Sequence, residues 1–174
     1  MEVIKRSQLN EALKTQNYRI ICESASKKTP PPLGRDFQVF LCHDTDDKDE
    51  IRALKAYFEN KGIRAYVAEI DDPQISWKGI NKKTASVLQN RMKECSKLYY
   101  ILSKNSQAST WMPWEVGFFN GIKGADNIKV IPIIDKDEYE VLNFPGHEYL
   151  ELYSTDGVNF ENLRLLKRID EAIS

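Results

Sequence analysis

Four short runs constrain this chain most: "FQVFLCH" at residues 37–43, "IRAYVA" at 63–68, "KLYYILS" at 97–103 and "IKVIPII" at 128–134. A strand with one wet face alternates apolar and polar residues. These runs are almost continuously apolar, so both of their faces must be covered. The segments between them carry a helical period instead. Residues 46–62 put Ile51, Leu54, Tyr57 and Phe58 on one face, with Asp46 or Asp47 placed to cap the start and Gly62 to end it. Residues 81–95 do the same with Thr84, Leu88, Met92 and Cys95, and residues 109–123 form a third helix. "EYLELY" at 148–153 reads as a short fifth strand. Residues 159–173 close the chain with Phe160, Leu163, Leu166, Ile169 and Ile173 inward. Pro132 points to an edge or a bulge in the fourth strand. Strands alternating with helices predict an α/β fold, a flavodoxin-like, doubly wound parallel sheet of five strands.

Residues 1–35 stand apart as an N-terminal helical extension and linker, and residues 36–174 form the α/β domain. The extension holds a helical pattern, "SQLNEALKTQ", and the run Pro30-Pro31-Pro32, which lacks backbone donors and reads as extended. With 41% hydrophobic and 29% charged residues the 174-residue chain has a globular composition, long enough to bury a core without staples. A formal net charge of −1 argues against nucleic acid as a partner. Three scattered cysteines and two histidines provide no zinc pattern, so no metal is expected. No signal-peptide run and no apolar stretch of about 20 residues is present, so the expectation is a cytoplasmic protein with no membrane contact.

In the flavodoxin-like order the sheet reverses between its first and third strands, and ligands bind beyond the carboxyl ends there. That geometry selects two loops, "HDTDDKD" at 43–49 and "SKNSQAST" at 103–110. The second leads into "STWMPWEVGFFNGIK", where Glu115 is the only charged side chain between Lys104 and Lys123. Trp111 lies four residues earlier, on the same helical face. The helix dipole favours an ionised carboxylate there, and the aromatic neighbours favour a protonated one. Read by itself, Glu115 is more simply a first-turn acid facing solvent. At the switch point it suits a different task. Cleavage of a ribosyl bond to a good leaving base passes through an oxocarbenium-like state, which a carboxylate stabilises. A nicotinamide leaves as a neutral base, so no general acid is needed.

In order along the chain, "VFLCHDTDDKD", "KGIRAYVAEIDDPQISWKGI" and "CSKLYYILSKNSQASTWMPWE" resemble the first strand and polar loop, the second strand and loop, and the S-x-W-x-x-x-E signature of a TIR domain, the Toll/interleukin-1 receptor type in its bacterial form. The resemblance covers roughly 100 residues. It implies cleavage of NAD to nicotinamide and linear or cyclic ADP-ribose, with NAD as substrate and no separate cofactor. It also implies a role in anti-phage immunity, self-association through TIR–TIR contacts and a downstream effector that senses the nucleotide product. The family's catalytic glutamate falls on Glu115 and its substrate-packing tryptophan on Trp111. The polar loop falls on His43, Asp44 and Asp47, and the third-strand turn on Ser103 and Asn105. Asp71, Ile75 and Gly79 meet the family's second-strand loop only loosely, with Trp77 intruding.

Each residue also has a plainer reading. His43 suits a structural hydrogen bond as well as a ligand contact, and the aspartates of 44–49 suit helix capping better than a metal loop. Trp77 reads as a lid over the substrate or an oligomer contact. Cys42 belongs to the core. Two other functions stay open at this point: a non-catalytic TIR interaction module, and a flavodoxin-like relative of the nucleoside deoxyribosyltransferases.

Overall fold

The computed structural model describes residues 4–14, 37–73, 81–134 and 147–155. Six parallel strands form one sheet: β1 (Ile4–Lys5), β2 (Val39–Cys42), β3 (Ala65–Tyr66), β4 (Lys97–Leu102), β5 (Ile128–Ile134) and β6 (Ser154–Thr155). Their order is β3-β2-β4-β5, with β1 and β6 both on the far edge of β5. Strands β2 to β6 therefore follow the predicted doubly wound order, and the reversal falls between β2 and β4. The strand at 4–5 is an addition to that plan.

Alternation along the strands sorts the core into two layers. Val39, Leu41, Tyr99, Ile101, Ile131 and Ile133 face one side, with Ile51, Leu54 and Phe58 of α2 (Lys48–Asn60) and Leu9 of α1 (Arg6–Leu13). Phe40, Cys42, Leu98, Tyr100 and Val130 face the other. There they meet Leu88 and Met92 of α4 (Lys82–Glu94) and Met112, Val116 and Phe119 of α5 (Trp111–Lys123). A four-residue helix, α3 (Ala68–Asp71), follows β3 directly.

Residues 4–13 fall in the part read as an extension, and they pack on the domain. Ile4 and Leu9 are buried, and Ile4 pairs with Ile133. The boundary near residue 35, the proline run, Trp77 and the closing helix at 159–173 lie outside the described residues.

Two local expectations are corrected. Residues 148–152 form a 3-10 helix, and the strand follows at Ser154–Thr155. Leu150 and Tyr153, three residues apart, are both buried, a spacing that suits three residues per turn better than a strand. β5 is not an edge strand. It has β4 on one side, and Pro132 falls between the stretches that pair with β6 and with β1 on the other. Pro132 is the last residue registered with β4 and falls between the two short strands on the other side, so it interrupts no ladder midway.

Candidate active site

The carboxyl ends of β2 and β4 open onto a cavity of about 190 Å³. Its walls include His43, Asp44 and Thr45 after β2, Ala68 and Glu69 after β3, and Ser109, Thr110, Trp111 and Glu115 at the start of α5. Four predicted residues thus meet in one place: Glu115, Trp111, His43 and Asp44.

Glu115 is not a solvent-facing first-turn acid. It is 5% exposed. The buried positions of α5 are Met112, Glu115, Val116 and Phe119, the spacing of a core-facing stripe. A carboxylate thus occupies a position that the helix otherwise gives to apolar residues. Burial pushes its carboxyl up to about 7, against the Cys42 thiol and the His43 charge, which pull it down. Glu69 adds to the upward push. Cys42 is core, as expected, but it also touches chemistry. Its thiol lies 3.8 Å from the Met112 carbonyl, and the Glu115 carboxylate competes for the same proton. Burial, reinforced by Glu115, pushes that thiol well up, so it stays protonated and serves as a donor.

Trp111 keeps part of its surface open, as do Trp114 and Phe118 further along the helix. Trp111 meets Trp114 edge to face at 5.5 Å between ring centroids, and Trp114 stacks on Phe118. Trp111 is thus braced from behind while it lines the cavity.

His43 has a defined charge state. Its Nδ1 donates to the Leu41 carbonyl at 2.8 Å, and its Nε2 donates to Glu69 Oε2 at 3.0 Å. A carbonyl and a carboxylate only accept, so both ring nitrogens hold protons. Burial works against that charge, but Glu69, the Leu41 carbonyl and Glu115 outweigh it and raise the ring to about 9. Burial likewise opposes ionisation of Glu69, and His43 outweighs it, holding Glu69 below its ordinary carboxyl value.

Asp47, Ser103 and Asn105 were expected to hold substrate, and the structure turns them toward each other. Asp47 is fully buried and accepts from Arg6 Nη2 at 3.0 Å, from the Ser103 hydroxyl and from Asn105 Nδ2 at 2.7 Å. Arg6 also pairs with Glu50 at 2.7 Å. None of the three lines the cavity. They form a knot beneath it, joining α1 to the loops after β2 and β4. This also corrects the capping expectation. Asp44 caps the turn at Thr45–Asp47 by accepting from the Asp46 amide, whereas Asp47 makes no cap bond because its side chain is engaged in the knot.

Glu69 was missed as a site residue. The available signal was an acid just past the end of the second core strand, in "AYVAE". Among the described residues no group of three or more His, Cys, Asp or Glu is placed to hold a metal ion, and no helix is long and apolar enough to cross a membrane.

A family model described as "TIR domain" matches residues 39–166. The chain is 39% identical over 117 residues to a protein of Bacillus cereus (strain MSX-D12) named "Probable 3' cyclic ADP-D-ribose synthase ThsB'". That overlap covers 67% of this chain and 58% of the relative, so the chain spans under two thirds of the relative's length.

Proposed function

The chain belongs to the TIR domain family, and we propose that it cleaves the bond between nicotinamide and ribose in NAD, giving ADP-ribose in cyclic or linear form. The observation that carries this reading is Glu115, a nearly buried carboxylate on the core-facing stripe of α5, sharing a cavity with Trp111 at the reversal of the sheet. The likeness to the Bacillus cereus relative supports the cyclic product.

In this reading the pyridinium ring stacks on Trp111, and the bond from its nitrogen to the anomeric carbon breaks heterolytically. The electron pair leaves with nicotinamide, which departs neutral. The positive charge left on the ribose faces the Glu115 carboxylate. Attack by water, with loss of one proton, gives the linear product. Attack by a hydroxyl of the same molecule, again with loss of a proton, closes the ring. The start of α5 lies in the cavity wall at Thr110 and Trp111, and the positive end of the helix dipole there suits a pyrophosphate. The raised carboxyl of Glu115 has a use here: the arriving cation favours its ionised form only when substrate is bound. NAD is the substrate, and no cofactor is required by these steps. Self-association through TIR–TIR contacts, an effector that senses the product, cytoplasmic location and a part in anti-phage defence complete the proposal.

Nicotinamide release from NAD by the concentrated protein tests it. Wild type should release nicotinamide, and Glu115→Gln should lose at least about 100-fold in rate, the scale of removing one electrostatic stabiliser. Equal activity in both proteins would remove Glu115 from the mechanism. Turnover of nucleosides without NAD would assign a different substrate.

A further inference from the structure

Besides Glu115 and Asp44, Glu69 is a third carboxylate in the wall of the same cavity. It is the second residue of α3, three positions beyond the end of β3. In doubly wound sheets an acid just past the second strand is well placed to receive ribose hydroxyls. Its orientation is fixed by His43, which is itself anchored to the Leu41 carbonyl at the end of β2. The side chain of His43 is 5% exposed and that of Glu69 is 23% exposed, so the ring is enclosed and the carboxylate is reachable. Phe40, Leu41, Ala68 and Ala108 add apolar wall, and Asp44, Thr45, Ser109 and Thr110 add polar wall.

We propose that Glu69 is a substrate-binding carboxylate that accepts hydrogen bonds from the hydroxyls of the reacting ribose, and that His43 is the positioning residue that aims it. The proposal rests on the NAD-cleaving reading for the identity of the ribose. Glu115 and Glu69 divide the work. Glu115 meets the charge that develops at the anomeric carbon, and Glu69 holds the ring from its hydroxyl side. A carboxylate has lone pairs for two hydroxyl donors, and a ribose diol presents two. His43 has no proton-transfer task here, since both its nitrogens are occupied as donors.

A binding cycle in a slow-turnover background tests this. Two ligands are titrated into Glu115→Gln: NAD, and an NAD analogue lacking the hydroxyl beside the anomeric carbon of the nicotinamide-bearing ribose. The same titrations are run with Glu69→Gln, Glu69→Ala and His43→Gln added singly. A hydroxyl bonded to a charged acceptor should favour NAD over the analogue by about tenfold. Replacing Glu69 should erase that preference, weakening NAD about tenfold and the analogue hardly at all. His43→Gln should blunt the same preference by roughly threefold. A purely structural role would weaken both ligands equally and would overturn the proposal. Glu69→Gln keeps the side-chain volume, so the cycle survives if Glu69→Ala does not fold. Nicotinamide release by wild type is read separately. A preference that depends on Glu69 without any nicotinamide release would sink the cleavage reading and keep the binding role. Release without such a preference would do the reverse.

Discussion

Two carboxylates sit at the same end of the sheet, both almost withdrawn from water: Asp47 at 0% exposed and Glu115 at 5%. Their surroundings are opposite. Asp47 accepts from Arg6, Ser103 and Asn105, donors brought by α1 and by the turn after β4. Glu115 lies among Met112, Val116 and Phe119, with a weakly donating thiol beside it. The first arrangement ties three segments together. The second leaves a charge under-satisfied next to a cavity, which costs stability and makes the group available for reaction. Burial alone therefore does not separate a structural acid from a reactive one; the count of donors does.

Substitutions should bring out this contrast. The largest effect is expected at the knot. Asp47→Ala removes the acceptor shared by Arg6, Ser103 and Asn105 and should cost about 3–5 kcal/mol of unfolding free energy by urea titration. A loss under about 1 kcal/mol would mean the knot is decorative. The cavity should respond with the opposite sign. Glu115 has a folded value near 7, above its ordinary 4.5, so the folded protein holds the extra proton between those pH values. The stabilising contribution of that proton is whole below about pH 4.5 and is lost as pH rises through about 7. Glu115→Gln should therefore be more stable than wild type by about 3 kcal/mol at pH 8, with the gap closing toward pH 4.5. A gap that does not vary with pH would contradict the assigned environment.

The imidazolium of His43 sharpens the picture from the other side. Its folded value of about 9 lies above the ordinary 6.5, so its contribution is complete below about pH 6.5 and disappears as pH rises through about 9. Glu69, held low, loses its share as pH falls through its own folded value. His43→Gln should cost about 1–2 kcal/mol at pH 6 and converge on wild type above pH 9 in thermal melts. The smallest effect belongs to Arg6. Arg6→Ala removes donors to Asp47 and Glu50 from a side chain that is partly solvated, and should cost about 1 kcal/mol.

Much of this arrangement was legible before any coordinates. Apolar runs announced the buried strands, and 3.6-residue spacing placed Leu88, Met92 and Cys95 inward, where all three are buried. Topology then brought Glu115, Trp111, His43 and Asp44 to one cavity. Loop side chains were harder to place. No periodicity tells whether Asp47 turns toward a cavity or toward Arg6, because the answer depends on a partner 41 residues away. Glu69 was hidden by the short helix that interrupts "IRAYVA", since a strand continued to residue 68 would place it differently. The strand at Ile4–Lys5 was too short to register as a pattern and exists only through its pairing with β5.

That pairing sets an order of events during synthesis. Ile4 is synthesised well before its neighbour Ile133. Until Ile133 is made the outer edge of β5 does not exist, and Ile4 and Lys5 have nowhere to dock. Arg6 is adjacent to that strand, so its grip on Asp47 settles when the edge does. The loops around the cavity are thus secured by residues made before the strand they pair with and seated only after it.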